Sequence, residues 1–179
     1  MINDYEATQP MTTDAIPVHS STTSNDDVIS TLNGLIQTCK DGEEGFRDAA
    51  ENVKASNLKT LFYEASQERA RFLGELQALV RSLGGDPEDS GTFLGAIHRG
   101  WMDLKTAIST NDEGGILSEC ERGEDSAKKA YKEAMEKPLP NPVLDVIRTQ
   151  SRSIFASHDR IRALRDSSSD ASTRSAATF

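Results

Sequence analysis

The sequence predicts an all-α protein, a bundle of four long helices with one shorter helix between the second and third. Two observations carry this. Apolar residues recur at steps of three and four through most of the chain, the spacing that lines one face of an α-helix. No run of alternating apolar and polar β-branched residues offers a strand.

The first helix follows from Val28, Leu32, Leu35, Ile36, Cys39, Phe46, Ala50 and Val53. Ser24, with an acid three residues on, is suited to cap its start. The second carries Leu58, Leu61, Phe62, Ala65, Phe72, Leu76, Leu79, Val80 and Leu83, and stops at Gly84-Gly85-Asp86-Pro87. The short link at Lys54 to Ser56 makes these two an antiparallel pair. A shorter helix over Thr92 to Ser109 holds Phe93, Leu94, Ile97, Trp101, Leu104 and Ile108. The next stripe is Ile116, Leu117, Cys120, Ala127, Tyr131, Ala134 and Met135. Asn141-Pro142 opens the last helix, which carries Val146, Ile147, Ile154, Ile161 and Leu164.

At 1.5 Å per residue the short helix spans roughly 27 Å, about the distance needed to carry the chain back along a bundle. That favours a crossover connection, the ferritin-like order, over a simple up-and-down meander. In the alternative, the short helix is itself a bundle member and Gly114-Gly115 only a kink. Residues 1–24 are Thr, Ser, Asn, Asp and Pro with scattered apolar residues, and 167–179 are small and polar. Both read as disordered tails around a bundle at 25–166.

The chain has 179 residues and 20 Lys plus Arg against 29 Asp plus Glu, a formal charge of −9. This acidic balance argues against nucleic acid and anionic lipid as partners. No stretch approaches the roughly 20 apolar residues of a membrane span, and no Lys or Arg precedes Lys40, so a cytoplasmic location is expected. Two cysteines are too few for a disulfide framework, and Cys39 and Cys120 lie on core stripes as inert thiols. Phosphate loops, Cys-x-x-Cys, His-Glu-x-x-His and Gly-x-Ser-x-Gly are absent, which leaves nucleotide hydrolysis, zinc proteolysis and serine hydrolysis without support.

Each apolar stripe is broken near its middle by polar residues. Glu43 lies between Cys39 and Phe46, Glu68 and Arg69 between Ala65 and Phe72, and Glu124 between Cys120 and Ala127 with Glu121 on its flank. Gln150 and His158 fall on the line of Ile147, Ile154 and Ile161. Counting rise along each helix places Glu43, Glu68, Glu121 and His158 between roughly 22 and 24 Å up the bundle, one layer. Buried carboxylates must be paired, protonated or bound to metal, so Glu43, Glu68, Glu121, Glu124 and His158 are candidate metal ligands. Carboxylates with an imidazole suit iron, manganese or zinc. Against this, Arg69 could pair with Glu43 or Glu121 and make the layer a salt-bridged plug that fixes helix register. Di-iron bundles also need two Glu-x-x-His pairs, and no Glu here is followed three residues later by His. The leading expectation is therefore a non-enzymatic bundle that associates with itself or another protein through its helix faces. The alternative is a metal-binding or iron-oxidising protein with a degenerate site. His98, Trp101 and His19 read as helix surface, core and tail.

Five segments carry a family resemblance: Cys39-Lys40-Asp41-Gly42-Glu43-Glu44-Gly45-Phe46, Leu83-Gly84-Gly85-Asp86-Pro87-Glu88-Asp89-Ser90-Gly91, His98-Arg99-Gly100-Trp101-Met102-Asp103-Leu104-Lys105, Glu119-Cys120-Glu121-Arg122-Gly123-Glu124-Asp125 and His158-Asp159-Arg160-Ile161-Arg162-Ala163-Leu164-Arg165-Asp166. Over about Asp27 to Asp166 the chain resembles the bacterial PA2169-type four-helix-bundle family, also described as the domain of unknown function DUF2383. The resemblance implies a ferritin-like fold and a bacterial source, with no assigned activity and no catalytic residues to transfer.

Overall fold

The computed structural model describes residues 24–87, 104–110 and 112–176. Its helices are α1 (Asn25–Asn52), α2 (Ser56–Ser82), α3 (Leu104–Ser109), α4 (Glu113–Met135) and α5 (Asn141–Ala176), with no strand among the described residues. The fold is all-α. Of the crossover helix expected over Thr92 to Ser109, the last six residues are helical as α3. The rest, with His98 and Trp101, lies outside the described residues, as does the N-terminal segment 1–23.

Local chemistry sets the helix ends. Ser24 Oγ accepts from the Asp27 amide at 3.1 Å and donates to the Asp27 carboxylate at 2.8 Å, satisfying one of the free donors that open any helix. Ala55, which precedes α2, has no capping side chain. Glu113 in the first turn of α4 serves the turn instead, accepting from the amides of Lys54 at 2.7 Å and Ala55 at 2.9 Å. One carboxylate thus ties the α1–α2 turn to the start of α4. At the end of α2 Gly84 takes the left-handed conformation (φ +80°), and the Gly85 amide returns to the Val80 carbonyl at 3.1 Å.

Gly114 and Gly115 lie inside the first turn of α4, not before it. The Asp112 carboxylate folds back over them, and a Cβ on Gly115 would come within 2.7 Å of its oxygen. α5 runs ten residues past Asp166, where the helix was expected to end and a tail to begin. After Pro142 no glycine or proline occurs before Ala176 to stop it.

Contacts between helices fix the direction of each. Thr31 meets Lys137, Cys39 meets Tyr131 and Lys54 meets Glu113, so α4 runs antiparallel to α1. Gln150 meets Glu75 and Arg160 meets Glu64, so α5 runs antiparallel to α2. Since α1 and α2 are themselves antiparallel, α2 and α4 point the same way. The end of α2 and the start of α4 therefore lie at opposite ends of the bundle, and α3 packs beside the start of α4.

The apolar stripes meet in two clusters. One gathers Val28, Leu32, Ile36, Phe72, Leu76 and Ile147 with their neighbours; the other gathers Phe46, Phe62, Leu61, Ile116, Leu117 and Ile161. Burial of these side chains, at about 25 cal/mol per Å² of apolar surface, drives assembly. Between the clusters lies a polar level.

Candidate functional site

The polar level is built around Arg69, whose side chain is 1% exposed although it carries a charge. Its Nη2 donates to Glu124 Oε1 at 2.5 Å, and Glu124 is equally buried. Ser157 Oγ donates to the same oxygen at 2.8 Å, while Glu124 Oε2 has no hydrogen-bond partner. The guanidinium carbon lies 5.8 Å from the Phe46 ring centre and 5.6 Å from that of Phe72, one aromatic from each apolar cluster. Burial pushes the Glu124 carboxyl above its usual range, with Arg69 and Ser157 pulling the other way. Burial would lower the Arg69 pKa, but Glu124, Cys39, Tyr131 and Glu68 together outweigh it and hold the guanidinium above its usual range.

A second polar chain touches all four long helices below this pair. Tyr131 Oη donates to Gln150 Oε1 at 2.7 Å, and Gln150 Nε2 donates to Glu75 Oε2 at 2.8 Å. Cys39 Sγ lies 3.2 Å from Tyr131 Oη. Burial pushes the Cys39 thiol up to about 11, with the Tyr131 contact opposing. Both cysteines are buried and unbridged, as expected of inert thiols.

A third group sits at the α4–α5 seam. His158 Nε2 is 3.0 Å from Asp125 Oδ1 and 4.0 Å from Glu121 Oε1, and its Nδ1 is 3.0 Å from Asp159 Oδ1. Lys128 Nζ lies 3.1 Å from Nδ1 and 3.3 Å from Nε2. Arg165 Nη1 holds Glu121 Oε2 at 2.5 Å. The hydrogen bond to His158 keeps the Asp159 carboxyl below its usual range.

The five candidate ligands therefore divide instead of meeting at one point. Glu121 and His158 come together, whereas Glu124 turns to Arg69. Glu43 pairs with Arg47 on its own helix at 3.7 Å, and only its carbonyl joins the middle level, accepting from Ser66 Oγ at 2.9 Å. Glu68 pairs with Arg71 at 3.6 Å and Arg69 at 3.5 Å. Rise along a helix puts these residues at one height, but angle decides what each one faces. Glu121 and Glu124, three apart, point about 60° from each other, Glu121 toward His158 and Arg165 of α5 and Glu124 inward between Arg69 of α2 and Ser157 of α5. Asp125, four from Glu121, shares its face and completes the seam group; in sequence it reads as part of a solvated acidic run. Arg69 meets neither Glu43 nor Glu121, the two partners its stripe position suggested, but Glu124.

A ferritin-type two-metal centre would occupy the middle level, and the residues there do not fit one. The guanidinium already balances Glu124, Glu43 pairs with Arg47, and Glu68 pairs with both Arg71 and Arg69. No helix among those described is long and apolar enough to cross a membrane.

Fold and site together define a helical-bundle protein with a salt-bridged interior. The sequence profile described as Domain of unknown function (DUF2383) matches residues 27–137, from the first turn of α1 to just beyond α4, and the chain belongs to that family. No curated protein matches it.

Proposed function

We propose that the protein is a non-enzymatic, ferritin-like four-helix scaffold that acts in the bacterial cytoplasm by self-association. The observation that supports this is the Arg69–Glu124 pair. A cation supplied by the chain itself sits at the level where a bundle of this order would hold metal. The pair and the aromatic rings around it favour one register of the four helices, a rigid core whose outer faces are free to associate. The face between α2 and α5 suits that role. It holds a groove of about 300 Å³ with Ala65, Ala156 and Ser153 as small lining residues and Glu64, Glu68 and Arg160 as charged ones. An antiparallel second copy would set acids against arginine there.

Two measurements on the full chain test this. Ferrous iron in air should oxidise no faster with the protein than with a Glu124→Gln variant; stoichiometric oxidation lost in that variant overturns the scaffold reading. Light scattering should give more than one chain per particle, reduced by Ala156→Arg. A monomer at all concentrations overturns self-association.

A further inference from the structure

The seam group has what a metal site needs and what the middle level lacks. Among the described residues, Glu121, Asp125 and His158 form a group whose ligand atoms all lie within 4.8 Å of one another. Tetrahedral zinc, with bonds of about 2.1 Å, sets its ligand atoms roughly 3.4 Å apart. The distances from His158 Nε2 to Asp125 Oδ1 (3.0 Å) and to Glu121 Oε1 (4.0 Å) fall on either side of that value. Small side-chain rotations would seat an ion between them.

Three neighbours prepare the group. Asp159 Oδ1, 3.0 Å from His158 Nδ1, is placed to accept that nitrogen's proton when an ion takes Nε2, the nitrogen on the side of the two carboxylates. This is the outer carboxylate that metal-binding histidines commonly carry. Arg165 fixes Glu121 through Oε2, leaving Oε1 as the atom nearest the imidazole. Lys128 Nζ, within 3.3 Å of both ring nitrogens and 3.8 Å from Asp125 Oδ1, places a cation where a metal ion would compete for the same atoms. His158 is 5% exposed and Glu121 10%, so two of the three ligands are largely desolvated, while Asp125, 60% exposed, leaves the ion an entry from solvent.

We infer that Glu121, Asp125 and His158 form a binding site for one divalent first-row transition ion of the zinc class, clamping α4 to α5, with Lys128 as its built-in competitor. Two carboxylates and one imidazole leave a position for water or for a ligand from another molecule. The site shares the height of the Arg69–Glu124 pair but faces the α4–α5 seam, and it does not depend on the scaffold reading.

The test is titration of the metal-free full chain with Zn²⁺ by calorimetry, alongside the visible spectrum of the Co²⁺ form and helicity by circular dichroism. The expected result is one ion per chain and a Co²⁺ spectrum of low coordination number. His158→Ala should weaken binding at least a hundredfold, and Asp159→Asn tenfold to a hundredfold. Lys128→Met should tighten binding several-fold, a direction that loss of structure would not produce. Binding unchanged in His158→Ala, with helicity retained, overturns the site. So does a wild-type chain that takes up no Zn²⁺ while Lys128→Met takes up none either.

Discussion

Gly42 of α1 lies directly against the side-chain stem of Arg69: a methyl group at Gly42 would stand 3.3 Å from both Cγ and Cδ. A glycine inside a helix costs about 1 kcal/mol relative to alanine, so its place in the buried face of α1 needs a reason. The reason is clearance. Arg69 passes α1 to reach Glu124, and with Phe46 and Phe72 around its guanidinium it cannot move aside.

Gly42→Val is therefore expected to destabilise the bundle by about 2–3 kcal/mol in urea unfolding, in the range of overpacked cores. Because the obstructed atoms belong to Arg69, the cost should shrink in an Arg69→Ala background. A double-mutant cycle with no coupling between the two positions would refute the contact.

Removing one member of the Arg69–Glu124 pair leaves a buried charge uncompensated. Glu124→Leu alone should cost about 3–5 kcal/mol, whereas Arg69→Met with Glu124→Leu should recover most of that loss. Denaturant midpoints of the two single variants and the double check this. A double variant as unstable as the sum of the singles would mean that the pair is not the unit.

The Cys39 thiol gives a pH dependence with a definite sign. Unfolded, it ionises near 9.0; folded, burial holds its proton to about 11. The native state binds this proton more tightly, so the contribution to stability is fully present below pH 9. It is lost as pH rises toward 11 and amounts to roughly 3 kcal/mol. The stability difference between wild type and Cys39→Ala should shift by that amount across the window. A constant difference would show that the thiol is open to solvent, as would rapid alkylation of native protein at pH 8.

Glu113 should matter to a turn nearly 60 residues before it. Glu113→Ala removes the acceptor for the Lys54 and Ala55 amides, at an expected cost of about 1–2 kcal/mol. Hydrogen exchange at those two amides should accelerate in the variant. Unchanged exchange there would place the acceptor elsewhere.

Much of this architecture is legible in the sequence. Periodicity marks the long helices, Ser24 and Gly84 mark ends, and the breaks in the apolar stripes mark the polar level. What sequence does not convey is azimuth across the bundle. Rise along the axis is a matter of counting, but which neighbour a side chain faces depends on helix packing. Glu124 and Glu121 therefore have different partners although they differ by less than one turn. Asp125 was hidden for the same reason: a half-exposed acid gains meaning only once His158 from α5 stands opposite. Gly42 offers one signal in advance, a small residue on a buried helical face that calls for a large one across from it. The Glu113 bond has no local signature, because it joins positions nearly 60 residues apart.

The family profile ends at residue 137, while the helix that supplies Ser157, Gln150 and His158 starts at Asn141. A fragment cut at the profile boundary would bare Tyr131, Cys120 and the Glu124 carboxylate to water along one whole side. Recombinant production of the matched portion alone should yield insoluble material, so the practical unit for expressing this protein extends through α5.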